Sequence, residues 1–168
     1  MDILLHALSG VQFPYKLRIA GAGEDAYVQT LKQIIHQNKM EANVEWVGWK
    51  NNEEKYQFLA ESDLFALTSH NENFAIVVIE SLAVGTPVLV SNNVGLSKYV
   101  NEKQLGWVTG IEKIEEVRES LTNVYNAREE RRRISDASVN IIRYDFDDAR
   151  LAEDYINMYK NSTNKKAV

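Results

Sequence analysis

The sequence predicts an α/β domain, a parallel sheet covered by helices on both faces. Three observations carry that expectation. Short continuous apolar runs, such as residues 64–68 and the VLVS of 88–91, read as strands buried on both faces, and they alternate with stretches of helical period. Glycine and proline punctuate the junctions, at Gly21, Gly48, Gly85, Pro87 and Gly95. The 168 residues, 45% hydrophobic and 26% charged, suit one domain spanning 1–168 with a core of its own.

Taken in order, Ile3, Leu4, Ala7 and Leu8 fall at helical spacing in the first nine residues, and Gly10 closes that helix. Residues 16–20 (KLRIA) give a short strand that runs into Gly21-Ala22-Gly23-Glu24-Asp25-Ala26, and a helix over 27–37 follows. Those six residues spell the dinucleotide fingerprint, with Glu45 about where its ribose-binding acid would stand. That fingerprint normally opens a domain on its first strand, however, and here a helix comes first. Glu45 also lies inside the next strand (43–48), flanked by Val44 and Trp46, rather than at its tip. The glycines therefore read better as a tight turn.

After Gly48-Trp49-Lys50, Asn51 or Asn52 caps a helix over 53–61, with Tyr56, Leu59 and Ala60 facing inward. The strand at 64–68 leads to a helix that begins near Asn73 or Phe74 and closes at Gly85 and Pro87. Following the VLVS strand, Asn92-Asn93-Val94-Gly95 forms a loop at the sheet's C-terminal edge, where open parallel sheets bind ligands. Trp107 and Val108 mark the last strand, and Ile111, Ile114, Val117, Leu121 and Val124 an amphipathic helix. Glu129 and Arg133, four apart, pair along the next helix, and Arg131, Arg132 and Arg133 form a solvated face. A final helix carries Leu151, Tyr155, Ile156 and Tyr159, and residues 161–168 are a frayed tail.

Composition narrows the function classes. A net charge of −5 argues against nucleic-acid binding, while a local basic patch leaves peripheral membrane contact open. With no eighteen-residue apolar run, no leader pattern and no cysteine, a cytoplasmic location is the expectation. His6, His36 and His70 are scattered, so no metal site is expected.

The chemistry concentrates in residues 69–87, SHNENFAIVVIESLAVGTP. Glu72 sits just outside the first turn of the expected helix and Glu80 about two turns in. The two carboxylates would be displaced by roughly 12 Å at most along the axis. That is about the span of a sugar–diphosphate–ribose ligand. Between them lie the unpaired N–H groups of the first turn, whose positive dipole end suits a diphosphate.

A Glu, seven residues and a second Glu, with Phe74 two after the first and Gly85-x-Pro87 after the helix, resembles the donor-site signature of the family-4-type (group 1) retaining glycosyltransferases. The resemblance implies the C-terminal, Rossmann-like half of a GT-B fold, here lacking its first strand and the glycine-rich loop with its diphosphate-binding Arg and Lys. It implies that Glu72 lies by the donor sugar as the catalytic candidate. Phe74, Ala75 and Ile76 would offer main-chain groups to sugar and diphosphate, and Glu80 would hold the ribose. Gly48, Trp49 and Lys50 would line the base, with Gly21 in the turn beside the pocket. Ala75 departs from the family's usual glycine, and its methyl is expected to crowd an approaching phosphate.

The resemblance further implies a metal-independent transfer of a hexose from a nucleotide-diphosphate sugar, for polysaccharide or glycolipid synthesis, with no cofactor. The acceptor would be presented by an N-terminal domain on the same or a separate chain, against which the C-terminal helix (about 146–160) packs. A chain without that domain is expected to be inactive. Two alternatives stand beside this reading: a non-catalytic nucleotide-sugar-binding module working with a separate acceptor-binding chain, and a GT-B nucleotide-sugar epimerase.

Overall fold

Strand β4 (Val88–Ser91) organises the core, because its apolar run has no polar side to turn outward. All four residues are buried, and neighbours pair with it in parallel on both edges: β3 (Phe65–Leu67) and β5 (Gly106–Thr109). Successive strand side chains point to opposite faces. Leu89 accordingly enters one apolar cluster and Val88 and Val90 another. The first cluster is closed by α1 (Asp2–Leu8), α2 (Asp25–Gln37) and α6 (Ile114–Asn126), through residues such as Leu5, Leu31 and Val117. The second is closed by α4 (Ile76–Ala83), α5 (Ser97–Glu102) and α7 (Arg128–Asp145), through Val78, Val100 and Ile134. Helices thus cover both faces, as the sequence predicts.

The computed structural model describes residues 1–164. It divides the expected sheet. Strands β1 (Leu17–Ala20) and β2 (Val44–Gly48) pair in parallel with each other, and β3, β4 and β5 form a separate parallel sheet. No ladder joins β1 to β3 among the described residues. Side chains span that junction instead. Arg18 on β1 donates to Ser62 Oγ at 2.9 Å and lies 4.5 Å from the centre of the Phe58 ring. Leu17, Val44 and Ala66 also pack against the same apolar cluster.

Helix α1 ends where Arg118 Nε donates to the Ala7 carbonyl, tying it to α6. Helix α3 (Asn52–Ala60) buries only Leu59; Tyr56 and Ala60, expected to face inward, are exposed. Too few apolar side chains lie on one face of α3 to turn it into the core. The pairing on α7 also differs from expectation. Arg133 bonds Glu130, one helical turn back, and not Glu129, while Arg131 donates to the Val124 and Tyr125 carbonyls at the end of α6. Two of the three arginines are therefore structural. Helix α8 (Asp148–Asn164) continues through residues 161–164, which the sequence assigns to a frayed tail; residues 165–168 of that tail lie outside the described residues. Among the described residues no helix is long and apolar enough to cross a membrane.

Candidate functional site

Because every strand pair is parallel, the C-terminal ends of each sheet's strands lie at one edge of that sheet, and the expected site residues follow those ends. At the ends of β1 and β2, Gly21 N–H donates to the Gly48 carbonyl at 2.9 Å. Both glycines have positive φ, +120° and +69°, and a side chain added at either would meet open space. Backbone conformation, not crowding, is what calls for glycine there. Trp49, next to Gly48, is 75% exposed and so belongs to the rim, not the core. Lys50 beside it is half-buried.

After β3 the chain stays extended longer than the sequence suggests. Glu72 forms an isolated parallel bridge with Val94: its N–H donates to Asn93 O at 3.3 Å, and its carbonyl accepts from Gly95 N–H at 2.8 Å. Gly95 is where this approach is tightest. A Cβ built there would sit 1.8 Å from the Asn73 carbonyl oxygen, so only glycine lets the loop after β4 lie against this segment. The helix consequently starts at Ile76, two to three residues later than expected. Ala75 makes the turn into it, with left-handed backbone angles of φ 57° and ψ 62°.

That geometry corrects the expectation for Ala75. Its methyl belongs to the buried cluster with Val78, Val90 and Val94, so it packs inward instead of crowding a ligand. The family's preference for glycine at this position has a simpler cause in the left-handed turn. Phe74 and Ile76 on either side are 51% and 63% exposed, which keeps the helix tip open to solvent. No side chain caps α4, and the amides of Ile76 and Val77 have no acceptor among the described residues. Such a tip is a ready anion site.

The two carboxylates differ in their surroundings. Glu72 is partly buried, and its carboxylate has no hydrogen-bond or ion-pair partner among the described residues. Glu80, only 14% exposed, is held by Lys55 of α3, whose Nζ lies 2.5 Å from Oε1; the Tyr56 hydroxyl is 3.5 Å from the same oxygen. The sequence reading missed Lys55 and Tyr56. Lys55 sits in the first turn of α3, just after the Gly48-Trp49-Lys50 turn, so α3 links that turn to Glu80. Glu45, the acid of the dinucleotide fingerprint, is occupied elsewhere, 2.6 Å from Lys16 Nζ on the strand surface. His70 is exposed.

Residues 1–140 match the family model described as glycosyl transferases group 1. The chain belongs to that family. Among curated relatives, it is 31% identical over 105 residues to the putative colanic acid biosynthesis glycosyltransferase WcaL of Escherichia coli, covering 59% of this chain and 25% of that protein. It is 32% identical over 97 residues to the alpha-1,3/1,6-mannosyltransferase alg-2 of Neurospora crassa, covering 56% of this chain and 21% of that one. Among solved structures, Anabaena Alr3699/HepE in complex with UDP superposes with a TM-score of 0.83 at 23% identity, over 96% of this chain and 45% of that one. The C-terminal domain of a group 1 glycosyl transferase (LpcC) of Francisella tularensis superposes with a TM-score of 0.73 at 13% identity, over 86% of this chain and 77% of that one. This group 1 chain thus has the architecture of the C-terminal, Rossmann-like half of a GT-B glycosyltransferase. It spans less than half the length of the curated relatives it matches.

Proposed function

We propose that this chain is the donor-binding half of a retaining, metal-independent glycosyltransferase. The parent enzyme transfers a hexose from a nucleotide-diphosphate sugar to an acceptor in polysaccharide or glycolipid synthesis. The observation that carries the reading is the uncapped, solvent-open tip of α4, with an unpaired carboxylate at Glu72 before it and a positioned one at Glu80 within it. In this reading the amides of Ile76 and Val77 meet the diphosphate, whose charge grows as the bond to the anomeric carbon breaks. Glu72 faces the donor sugar, and Glu80 accepts hydrogen bonds from the ribose hydroxyls. Gly48, Trp49 and Lys50 line the base. The binding of UDP named for the Anabaena neighbour supports a nucleoside diphosphate as the common element.

The acceptor would come from an N-terminal domain, on the same or a separate chain, against which α8 packs. Tyr155, Ile156 and Met158 are exposed on that helix, and such a partner would cover them. Rate in such a reaction comes from holding two substrates in register, so the chain alone should turn over little.

Titrating the chain with UDP, GDP and ADP, with and without attached sugars, tests the assignment. Glu80→Ala should weaken nucleotides and nucleotide sugars alike, by about tenfold or more, the loss expected of a hydrogen bond to a charged group. Glu72→Ala should weaken only ligands that carry a sugar. Equal losses from both substitutions, whatever the ligand, would remove the basis for the two roles.

A further inference from the structure

The pair between Lys55 and Glu80 leaves the carboxylate asymmetric. Oε1 receives the ammonium of Lys55 and faces the Tyr56 hydroxyl, while Oε2 accepts nothing among the described residues. Both side chains are withdrawn from water, Lys55 to 33% and Glu80 to 14% exposure. A partner at this distance fixes a carboxylate so buried, whereas a fully exposed pair would contribute little. Apart from the Tyr56 ring, 5.2 Å away on the same helix, Glu80 is the contact that accounts for Lys55 lying here among the described residues. Helix α3 fully buries only Leu59 and half-buries Phe58 against Arg18, and its other charged residues, Glu53, Glu54 and Glu61 at its end, are exposed.

We propose that Lys55 is a positioning residue that sets how Glu80 reads the ribose. By occupying Oε1 it fixes the carboxylate plane and leaves the two lone pairs of Oε2 for a vicinal diol. The pair thereby makes the site selective for ribonucleotides over nucleotides lacking the 2′ and 3′ hydroxyls. This rests on Glu80 being the ribose acceptor. It adds a second helix to the nucleoside site, so that the turn lining the base and the acid holding the ribose are coupled through the first turn of α3.

The test is a cycle between Lys55 and the ligand's hydroxyls. The chain and its Lys55→Met, Lys55→Arg and Glu80→Gln variants are titrated calorimetrically with UDP, GDP and ADP and with the 2′,3′-dideoxy form of the tightest binder. Lys55→Met should lose about tenfold in affinity for the ribonucleotide, the scale of a charge-assisted hydrogen bond, and stay within about twofold for the dideoxy form. Lys55→Arg should recover most of the loss, since it restores a cation in reach of Oε1. The unchanged dideoxy affinity doubles as proof that the variant is folded. Equal losses for both ligands, or tighter binding of the ribonucleotide by Lys55→Met, would overturn the positioning role. If Glu80→Gln abolishes the ribose preference while Lys55→Met keeps it, this inference fails alone. If Glu80→Gln keeps the preference, or no nucleotide binds at millimolar concentration, the donor-site reading fails with it.

Discussion

Ala75 carries a side chain through backbone angles that most L-residues avoid, and its methyl is buried while doing so. The left-handed conformation costs roughly 1–2 kcal/mol for a residue with a Cβ. Burial of the methyl offsets part of that, at about 0.8 kcal/mol per buried carbon. Removing the methyl should therefore change little, because relieved strain, lost packing and added unfolded-state entropy nearly cancel. Ala75→Gly is expected to stay within about 1 kcal/mol of the parent in chemical denaturation. Ala75→Val should cost about 2–3 kcal/mol, since a β-branched residue at positive φ is strained and the surrounding cluster has no room for two more carbons. A valine accepted without loss would mean that this turn does not fix the start of α4. The one cue in the sequence is the glycine that the resembled family usually carries at this position, and that glycine reads as readily as room for a phosphate as it does as a left-handed turn.

At the scale of elements, legibility followed how local each decision was. The VLVS strand matched its expected bounds because four consecutive apolar or small residues can be satisfied only by burial on both faces. The start of α4 did not, because Glu72 is drawn into a bridge with Val94, a partner from the loop after the next strand. Lys55 was unreadable for the same reason: its partner lies twenty-five residues away, brought close by the packing of α3 on α4. A comparable tie joins α5, α7 and α8. Asp145 accepts from Lys103 Nζ at 2.6 Å and from the Tyr99 hydroxyl at 2.9 Å, and Arg150 lies 4.0 Å away. The Lys103 ammonium foremost, with the Tyr99 hydroxyl, holds the Asp145 carboxyl below the usual range, against the opposing pull of burial. Burial, helped by Asp145, pushes the Tyr99 phenol up.

A depressed carboxyl pKa means the folded state binds that proton less tightly than the unfolded chain. Its contribution is complete above the unfolded value, about 3.9, and is lost as pH falls through the folded value. Asp145→Asn should consequently cost about 1–3 kcal/mol at pH 7. The gap between parent and variant should narrow steadily below about pH 4. Urea unfolding at several pH values measures it. A gap that persists unchanged at pH 2 would show that the ion pair is not what joins these helices.

For the whole molecule, the consequence of the divided sheet is unequal stability. Strand β4 has a ladder on each edge and an apolar cluster on each face, so exposing its amides requires breaking most of the domain. Among the described residues strands β1 and β2 pair only with each other, and on β2 Glu45 and Trp46 face solvent. Their attachment to the rest includes one cluster face and the contacts of Arg18 with Ser62, Phe58 and Glu61. Opening this pair should therefore need less free energy than global unfolding. In native-state hydrogen exchange, the amides of Leu17–Ala20 and Val44–Gly48 should exchange at least about tenfold faster than those of Leu89 and Val90. Arg18→Ala should widen the difference, because it removes the side chain that spans the junction. Uniform protection across all five strands would instead mean that the two sheets open as one unit. The Gly21–Gly48 corner, which lies on the weaker sheet, would then be as rigid as the tip of α4.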